Sequence, residues 1–290
     1  MAVSNSLAKK EQRLGLTAYL TQDAVKNQIN NVIGGKDGQR FISSIISAAQ
    51  ANPALQECTH SSILSGALLG ESLKLSPSPQ LGQFYLVPFN DNKGGQKVAQ
   101  FQLGYKGYIQ LAIRSGQYKK LNVLAIKEGE LIRFDPLNEE IEVSLIDDEQ
   151  AREQAPTIGY YAMFEYVNGF RKALYWSRAK MEAHALKYSK GYQAKKGYTF
   201  WEKDFDGMAY KTMLRQLISK WGIMSIEMQS AIDADMAVIN EDGTKNYVDN
   251  EPEVVDDFMN APQPAEPAET EPQAQAEQTA GDVAGALFGA

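Results

Sequence analysis

The chain has 290 residues, 43% of them hydrophobic, and a formal net charge of −7 at pH 7. No apolar run approaches the roughly 20 residues that span a bilayer, and the N-terminus lacks the apolar segment of a secretory signal. The single cysteine, Cys58, excludes an internal disulfide and a cysteine-based metal cluster, so we expect a cytoplasmic protein with a buried core.

The net charge conceals two oppositely charged parts. Residues 241–290 hold 12 Asp and Glu but one lysine, whereas Arg171–Lys220 holds 12 Lys and Arg against 4 Asp and Glu. The tail is also rich in Pro, Ala and Gln, and cannot bury enough apolar surface to offset the entropy of ordering. We predict a folded body over 1–240 and a disordered acidic tail over 241–290. The basic body indicates a polyanionic partner, with a merely solvated basic face as the alternative.

Apolar residues at helical spacing predict three helices near the N-terminus, with Thr21, Asp37 and Thr59 as candidate caps. Two strands, 84–89 and 97–103, flank the hairpin loop NDNKGGQ. A helix over about 105–114 and two or three strands between residues 120 and 146 follow.

Residues 157–176 give the clearest hairpin signal. Asn168-Gly169 between aromatic and β-branched runs is typical of a type I′ turn, which would place Glu165 opposite Lys172 and Tyr166 opposite Arg171. Ser177 can cap the next helix, and another helix starts near Asp206 and breaks at Gly222. Together these elements predict an α+β fold, with a small β-sheet and hairpins packed with helices.

Catalytic and metal-binding motifs are absent from the sequence. The histidines, His60 and His184, are isolated, and no zinc or Walker-type motif occurs. Asp204 and Asp206 could belong to a metal-dependent nuclease, but their position before a helix favours capping. We therefore predict no catalytic residue, no metal ligand and no enzymatic activity.

Two predicted helices carry cations at helical spacing. Lys106, Gln110 and Arg114 fall on one face of the first, and Lys119 follows a turn at Gly116. In the second, Lys211 and Arg215 are like charges four residues apart, which repel on a bare helix. Since no acid lies within a turn to neutralise them, we predict that a phosphate does so. An amphipathic surface helix would explain the first row equally well.

A third basic element is the loop KYSKGYQAKKGYTFW, Lys187–Trp201, which holds four lysines, five aromatic residues and no carboxylate. Lysines attract phosphates and aromatic faces stack on bases, both without sequence preference. Its predicted DNA contacts are Lys190, Tyr192, Lys195 and Lys196, whereas Phe200 and Trp201 are expected to anchor the loop to the core. The hairpin cations Lys97, Arg171 and Lys172 complete the predicted interface.

Three runs resemble the RecT family of phage and prophage recombinases: LGQFYLVPF (81–89), AQFQLGYKGYIQLAIRSGQY (99–118) and FWEKDFDGMAYKTMLRQLISKWGIMSIEMQSA (200–231). The resemblance extends over about residues 10–240. Lys106, Arg114, Lys211 and Arg215 fall within these runs, whereas the lysines of the 190–196 loop rest on their chemistry alone.

The resemblance implies ATP-independent binding of single-stranded DNA in a basic groove, assembly into rings or filaments, and annealing of complementary strands through a duplex intermediate. It also implies a 5′→3′ exonuclease as partner, and the tail could contact that enzyme or the host single-strand binding protein. No nucleotide cofactor is expected, and magnesium is expected to aid annealing only indirectly. The alternatives are a single-strand protecting protein without annealing activity and a metal-dependent nuclease.

Overall fold

Helices and short antiparallel hairpins alternate along the chain. The computed structural model describes residues 15–91, 95–197 and 199–247. The helices are α1 Leu16–Leu20, α2 Asp23–Ile33, α3 Gly35–Ala51, α4 His60–Ser72, α5 Tyr105–Arg114, α6 Glu149–Gln154, α7 Arg178–Tyr188, α8 Lys190–Gln193, α9 Phe200–Lys203, α10 Phe205–Trp221 and α11 Ile226–Ala234, with a 3-10 turn at Pro53–Glu57. The strands are β1 Phe84–Asp91, β2 Gln96–Leu103, β3 Tyr118–Lys127, β4 Leu131–Asp135, β5 Glu140–Val143, β6 Thr157–Tyr166, β7 Arg171–Ser177, β8 Val238–Ile239 and β9 Lys245–Asn246.

The strands form small antiparallel sheets. β1 pairs with β2 from Phe84 opposite Leu103 to Asp91 opposite Gln96, and the three-stranded sheet has the order β3-β6-β7. β4–β5 and β8–β9 are separate hairpins. The α+β prediction is confirmed. Parts of two predicted elements, residues 92–94 of the first hairpin loop and 248–290 of the tail, lie outside the described residues.

The β6–β7 hairpin exists, but its predicted turn is wrong by one residue. Glu165 pairs with Arg171 and Phe164 with Lys172, so the connection is a three-residue loop over 167–169 rather than a two-residue turn. Gly169 supplies the left-handed residue of that loop, with φ of 88°. Because side chains alternate along a strand, this shift changes which charges face each other across the hairpin.

Two apolar clusters form the core, and α10 contributes to both. The first joins helices α1 to α5 with β1, β2 and α11, and it receives Leu214 and Ile218 from α10. The second lies between the β3-β6-β7 sheet and α7, and it receives Ala209, Met213 and Leu217. The long helix is therefore covered on two sides, whereas α5 buries Tyr108, Leu111 and Ala112 on one side only.

The helix ends follow the predicted chemistry in part. Ser177 accepts the Lys180 N–H at 3.2 Å and Asp204 accepts the Gly207 N–H at 2.9 Å, so both are N-caps as expected. Asp37 is not a cap, because α3 already begins at Gly35 and Asp37 instead pairs with Arg40 at 3.5 Å. Within the described residues, no helix has the length and apolar character needed to cross a membrane.

Candidate nucleic-acid interface

The predicted row on α5 is exposed along its whole length. Lys106, Gln110 and Arg114 all face solvent, opposite the buried Tyr108 and Leu111. Arg114 is braced, since its Nε donates to the Gln110 carbonyl at 3.3 Å and its Nη1 to the Lys74 carbonyl at 3.4 Å. The row therefore presents two cations and an amide on a helix whose orientation is fixed by its buried side.

A second basic group surrounds one carboxylate on the β3-β6-β7 sheet. A bulge in β3 leaves Lys119 without a partner opposite it, and both Lys119 and Lys120 reach Glu165, at 2.6 and 3.8 Å. The hydrogen bond from Lys119 and the charges of Lys120 and Arg171 hold the pKa of Glu165 below its usual range. One acid among three cations leaves this surface positive, with Arg171 exposed at its edge.

The 190–196 loop begins with the short helix α8, Lys190–Gln193, and it has ordered ends and exposed lysines. Glu202 accepts the N–H groups of Gly197 and Thr199 at 2.8 and 3.0 Å, while Ser189 accepts the Tyr192 N–H at 3.3 Å. Lys190, Lys195 and Lys196 are exposed between these points. Their contact with phosphate stays a prediction.

The aromatic residues of this loop mainly hold it in place. Trp201 is buried and packs against Phe205 with ring centroids 5.1 Å apart, as expected of an anchor. Tyr192 is half-buried, donates its hydroxyl to Glu182 at 3.0 Å and contacts the Trp201 ring. Burial, followed by this hydrogen bond, raises the Tyr192 pKa. Its predicted contact with DNA stays a prediction, and its ring and hydroxyl also have partners inside the protein. Tyr198 lies outside the described residues.

The prediction that Lys211 and Arg215 lack an internal acid and face a phosphate is wrong. Both side chains are buried, and both bind the enclosed carboxylate of Asp235, with Lys211 Nζ 2.8 Å from one oxygen and Arg215 Nη1 2.9 Å from the other. The same carboxylate accepts the Leu103 N–H at 2.9 Å. The acid that pairs with both cations is far along the chain rather than within one helical turn. This pair therefore fixes α10 to the end of β2 instead of facing DNA.

Two hairpin cations are engaged as well. Lys172 pairs with Glu139 and lies 3.8 Å from the centre of the Trp221 ring, which leaves its side chain only 17% exposed. Lys97 pairs with Glu57 but keeps 40% of its side chain exposed. A phosphate at Lys172 would have to displace both of these partners, so its predicted DNA contact stays a prediction. Lys97 stays a peripheral prediction.

Sequence reasoning missed several residues beside the α5 row. Lys203 is exposed at the end of α9, and Tyr85 on β1 contacts Phe200, with ring centroids 5.5 Å apart. The aliphatic part of the Lys106 side chain and the Tyr85 hydroxyl both lie beside Gly82. The start of α5 thus lies beside α9, which connects the basic row to the end of the loop. Lys203 could have been found, since it is a cation in a run that resembles the family.

Comparison with known proteins shows the family of the chain. The sequence model of the RecT family matches residues 39–255. The chain belongs to the RecT family. It is 40% identical over 282 residues to the protein YqaK of Bacillus subtilis (strain 168). The aligned region is 94% of this chain and 91% of YqaK. It is 31% identical over 222 residues to Protein RecT of Escherichia coli (strain K12), covering 75% of this chain and 79% of that protein.

Family membership gives the general role of this RecT-family chain. Members bind single-stranded DNA, oligomerise and act in DNA recombination by single-strand annealing rather than as classical enzymes. The part of the chain that matches the family model includes the α5 row, the strand cations and the 190–196 loop. The resemblance noted in the sequence is therefore confirmed.

Proposed function

We propose that this protein anneals complementary DNA strands without ATP by holding one strand along a basic groove. The observation that carries this proposal is the exposed row of Lys106, Gln110 and Arg114 on a helix with a buried opposite face. The cations around Glu165 and those of the 190–196 loop extend the positive surface. Contacts to phosphates leave base edges available to a second strand, which annealing requires.

Subunits side by side would make the groove continuous, and exposed apolar residues near the β6–β7 turn support such assembly. Tyr166 links this turn to the end of α10, since its hydroxyl donates to the Trp221 carbonyl at 3.2 Å. Exposed apolar side chains lie on both segments and on the start of α11: Val167, Phe170, Trp221, Ile223, Met224 and Ile226. A surface of this kind favours contact with another protein. A second copy of the chain is the occupant we propose.

Strand annealing tests the main proposal. Two complementary labelled oligonucleotides are mixed without ATP, with and without magnesium, and pairing is followed by fluorescence. Acceleration supports annealing, slowing would indicate a protecting protein, and shortened strands in magnesium would indicate a nuclease. Lys106→Glu should abolish annealing without changing the thermal midpoint, while Lys245→Glu, at an exposed lysine on β9, should anneal normally.

Self-association has a separate test. Ile223→Glu with Ile226→Glu should lower the mass of the assembly in sedimentation, because each change places a charge in an apolar contact. Val32→Glu, at an apolar residue 59% exposed on α2, is the matched control. Normal assembly by the double variant would place the subunit contact elsewhere. The exonuclease and single-strand binding protein remain proposed partners, and we propose no nucleotide cofactor and only an indirect role for magnesium.

A further inference from the structure

A cavity of about 180 Å³ lies beside the α5 row, where the end of β2 and the start of α5 meet α9 and α10. Its lining comes from distant parts of the chain and includes Tyr85, Tyr105, Phe200, Lys203, Asp204 and Lys211. Gly104 allows the close approach that shapes this corner, because a Cβ there would lie 2.1 Å from the Gly82 carbonyl oxygen. The cavity is thus built by packing rather than by a surface loop.

Three aromatic side chains line part of the cavity. Tyr85, Tyr105 and Phe200 are each half-buried, and the Tyr85 and Phe200 rings contact each other at 41°. Burial, followed by the charge of Asp204 and the nearby Tyr105, raises the Tyr85 pKa, so its hydroxyl stays neutral. Flat π systems pack well on such faces. The volume is below the roughly 300 Å³ at which pockets for drug-sized ligands begin, so it suits a single ring system.

The charges are arranged to place an anion at the mouth and not on the floor. Lys211, at the buried end of the cavity, is only 4% exposed and donates to Asp235, a carboxylate that it shares with Arg215. Asp204 accepts the Gly207 N–H as the cap of α10. Lys203 and Lys106 are exposed, at the edge of the cavity and beside Tyr85 respectively. A ligand with an apolar ring and an adjoining phosphate fits this distribution. A bare phosphate would leave the aromatic walls uncovered.

We propose that the cavity takes one unpaired nucleobase, turned out of the bound strand, while Lys106 and Lys203 contact the flanking phosphates. This inference rests on the proposed function, since it assumes that a strand follows the α5 row. One base per subunit would be held, and the remaining bases would stay available for pairing. The captured base would also fix the position of the strand relative to each subunit.

The test combines a change in the cavity with a change in the strand. Oligonucleotides of equal length, with ordinary or entirely abasic residues, are titrated with the full-length protein. Wild type should bind the abasic strand about tenfold more weakly, as expected for loss of base stacking. Phe200→Leu should bind the ordinary strand about fivefold more weakly and the abasic strand as wild type does. Phe134→Leu, at a ring 38% exposed on β4, should behave as wild type.

The outcomes separate this inference from the proposed function. Equal binding of both strands by wild type, or equal weakening of both by Phe200→Leu, would overturn the cavity assignment and leave annealing intact. A free deoxynucleotide that competes as well as a strand would also overturn it, because the cavity would then be a mononucleotide site. If wild type binds neither strand, the proposed function fails together with this inference. Tyr85→Leu repeats the test from the opposite wall, and thermal midpoints show that both variants are folded.

Discussion

Helices α5 and α10 each carry two cations at helical spacing, and the fold uses the two pairs in opposite ways. Lys106 and Arg114 are exposed on α5, while Lys211 and Arg215 are enclosed on α10. The difference lies in what covers each helix. α5 packs against the first apolar cluster on one side only, whereas α10 supplies residues to both clusters. Cation spacing alone therefore cannot distinguish a helix with exposed cations from a central helix with enclosed ones.

An enclosed cation pair needs an internal anion, and Asp235 supplies it. Removing charged groups from water is costly, so a buried pair is stable only when geometry and additional hydrogen bonds compensate. Asp235 satisfies this condition with one carboxylate that accepts from Lys211, Arg215 and the Leu103 N–H. Since Leu103 precedes the first turn of α5, the buried network also fixes the start of the exposed row. The two cation pairs are thus mechanically connected.

The largest effect should come from Asp235→Ala. Lys211 and Arg215 would remain buried without their counter-charge, which should cost about 3–5 kcal/mol of unfolding free energy. For a domain of this size the thermal midpoint should fall by about 10 °C. Asp233→Ala, at an exposed neighbour on α11, should change it by less than about 1 °C, since surface substitutions are near neutral. An Asp235→Ala protein as stable as wild type would show that the enclosed α10 cations do not need an internal anion.

A second enclosed acid tests whether the loss of stability on removing a carboxylate comes from its burial rather than from its position beside α10. Glu130 is fully buried in the turn before β4 and receives Arg152 Nε at 2.6 Å and the Lys127 N–H at 2.8 Å. Burial opposes ionisation, but the hydrogen bonds from Arg152 and the backbone outweigh it and lower the Glu130 pKa. Glu130→Gln should cost about 2 kcal/mol at pH 7, the scale of hydrogen bonds to charged groups.

The stability lost in Glu130→Gln should depend on pH, because the Glu130 pKa is lowered in the folded protein. Because the folded pKa is lowered, the charge of Glu130 stabilises the protein above the ordinary value of 4.5, and this contribution is lost as pH falls through the folded value. Urea unfolding of wild type and Glu130→Gln should therefore differ most near pH 7 and converge in acid. A difference that stays constant down to pH 3 would mean that shape, rather than charge, is responsible.

Much of the fold, and less of the interface, could be predicted from the sequence. The α5 row was predictable because its apolar and polar faces alternate within ten residues. The hairpin strands were predictable too, but not the extra residue in the turn, since Asn-Gly is compatible with two loop lengths. Asp235 could not be found, because it lies 20 residues beyond Arg215 and the bond depends on tertiary packing. The cavity could not be found for the same reason, because tertiary packing brings its wall residues 85, 105 and 200 together.

Lys106→Ala tests the exposed cation pair on α5. If Lys106 contacts a phosphate, single-strand affinity should fall about fivefold and the slope of log affinity against log salt should decrease by about 0.7. Stability should be unchanged, in contrast to Asp235→Ala. Lys245→Ala is the control for loss of one exposed cation elsewhere. A weaker affinity with an unchanged salt slope would show that Lys106 acts through the aromatic corner beside it and not through a phosphate.

The smallest effect should come from the acidic tail, which can compete with DNA only for exposed cations. Residues 248–290 contain ten Asp and Glu and no Lys or Arg, and cutting after Tyr247 keeps the β8–β9 hairpin intact. The truncated protein should bind single-stranded DNA about threefold more tightly at low salt, and the gain should vanish near 1 M salt, where charges are screened within about 3 Å. In the Lys106→Ala background the gain should shrink, because the tail would lose one of the cations it covers. An unchanged affinity at low salt would show that the tail does not reach the α5 row.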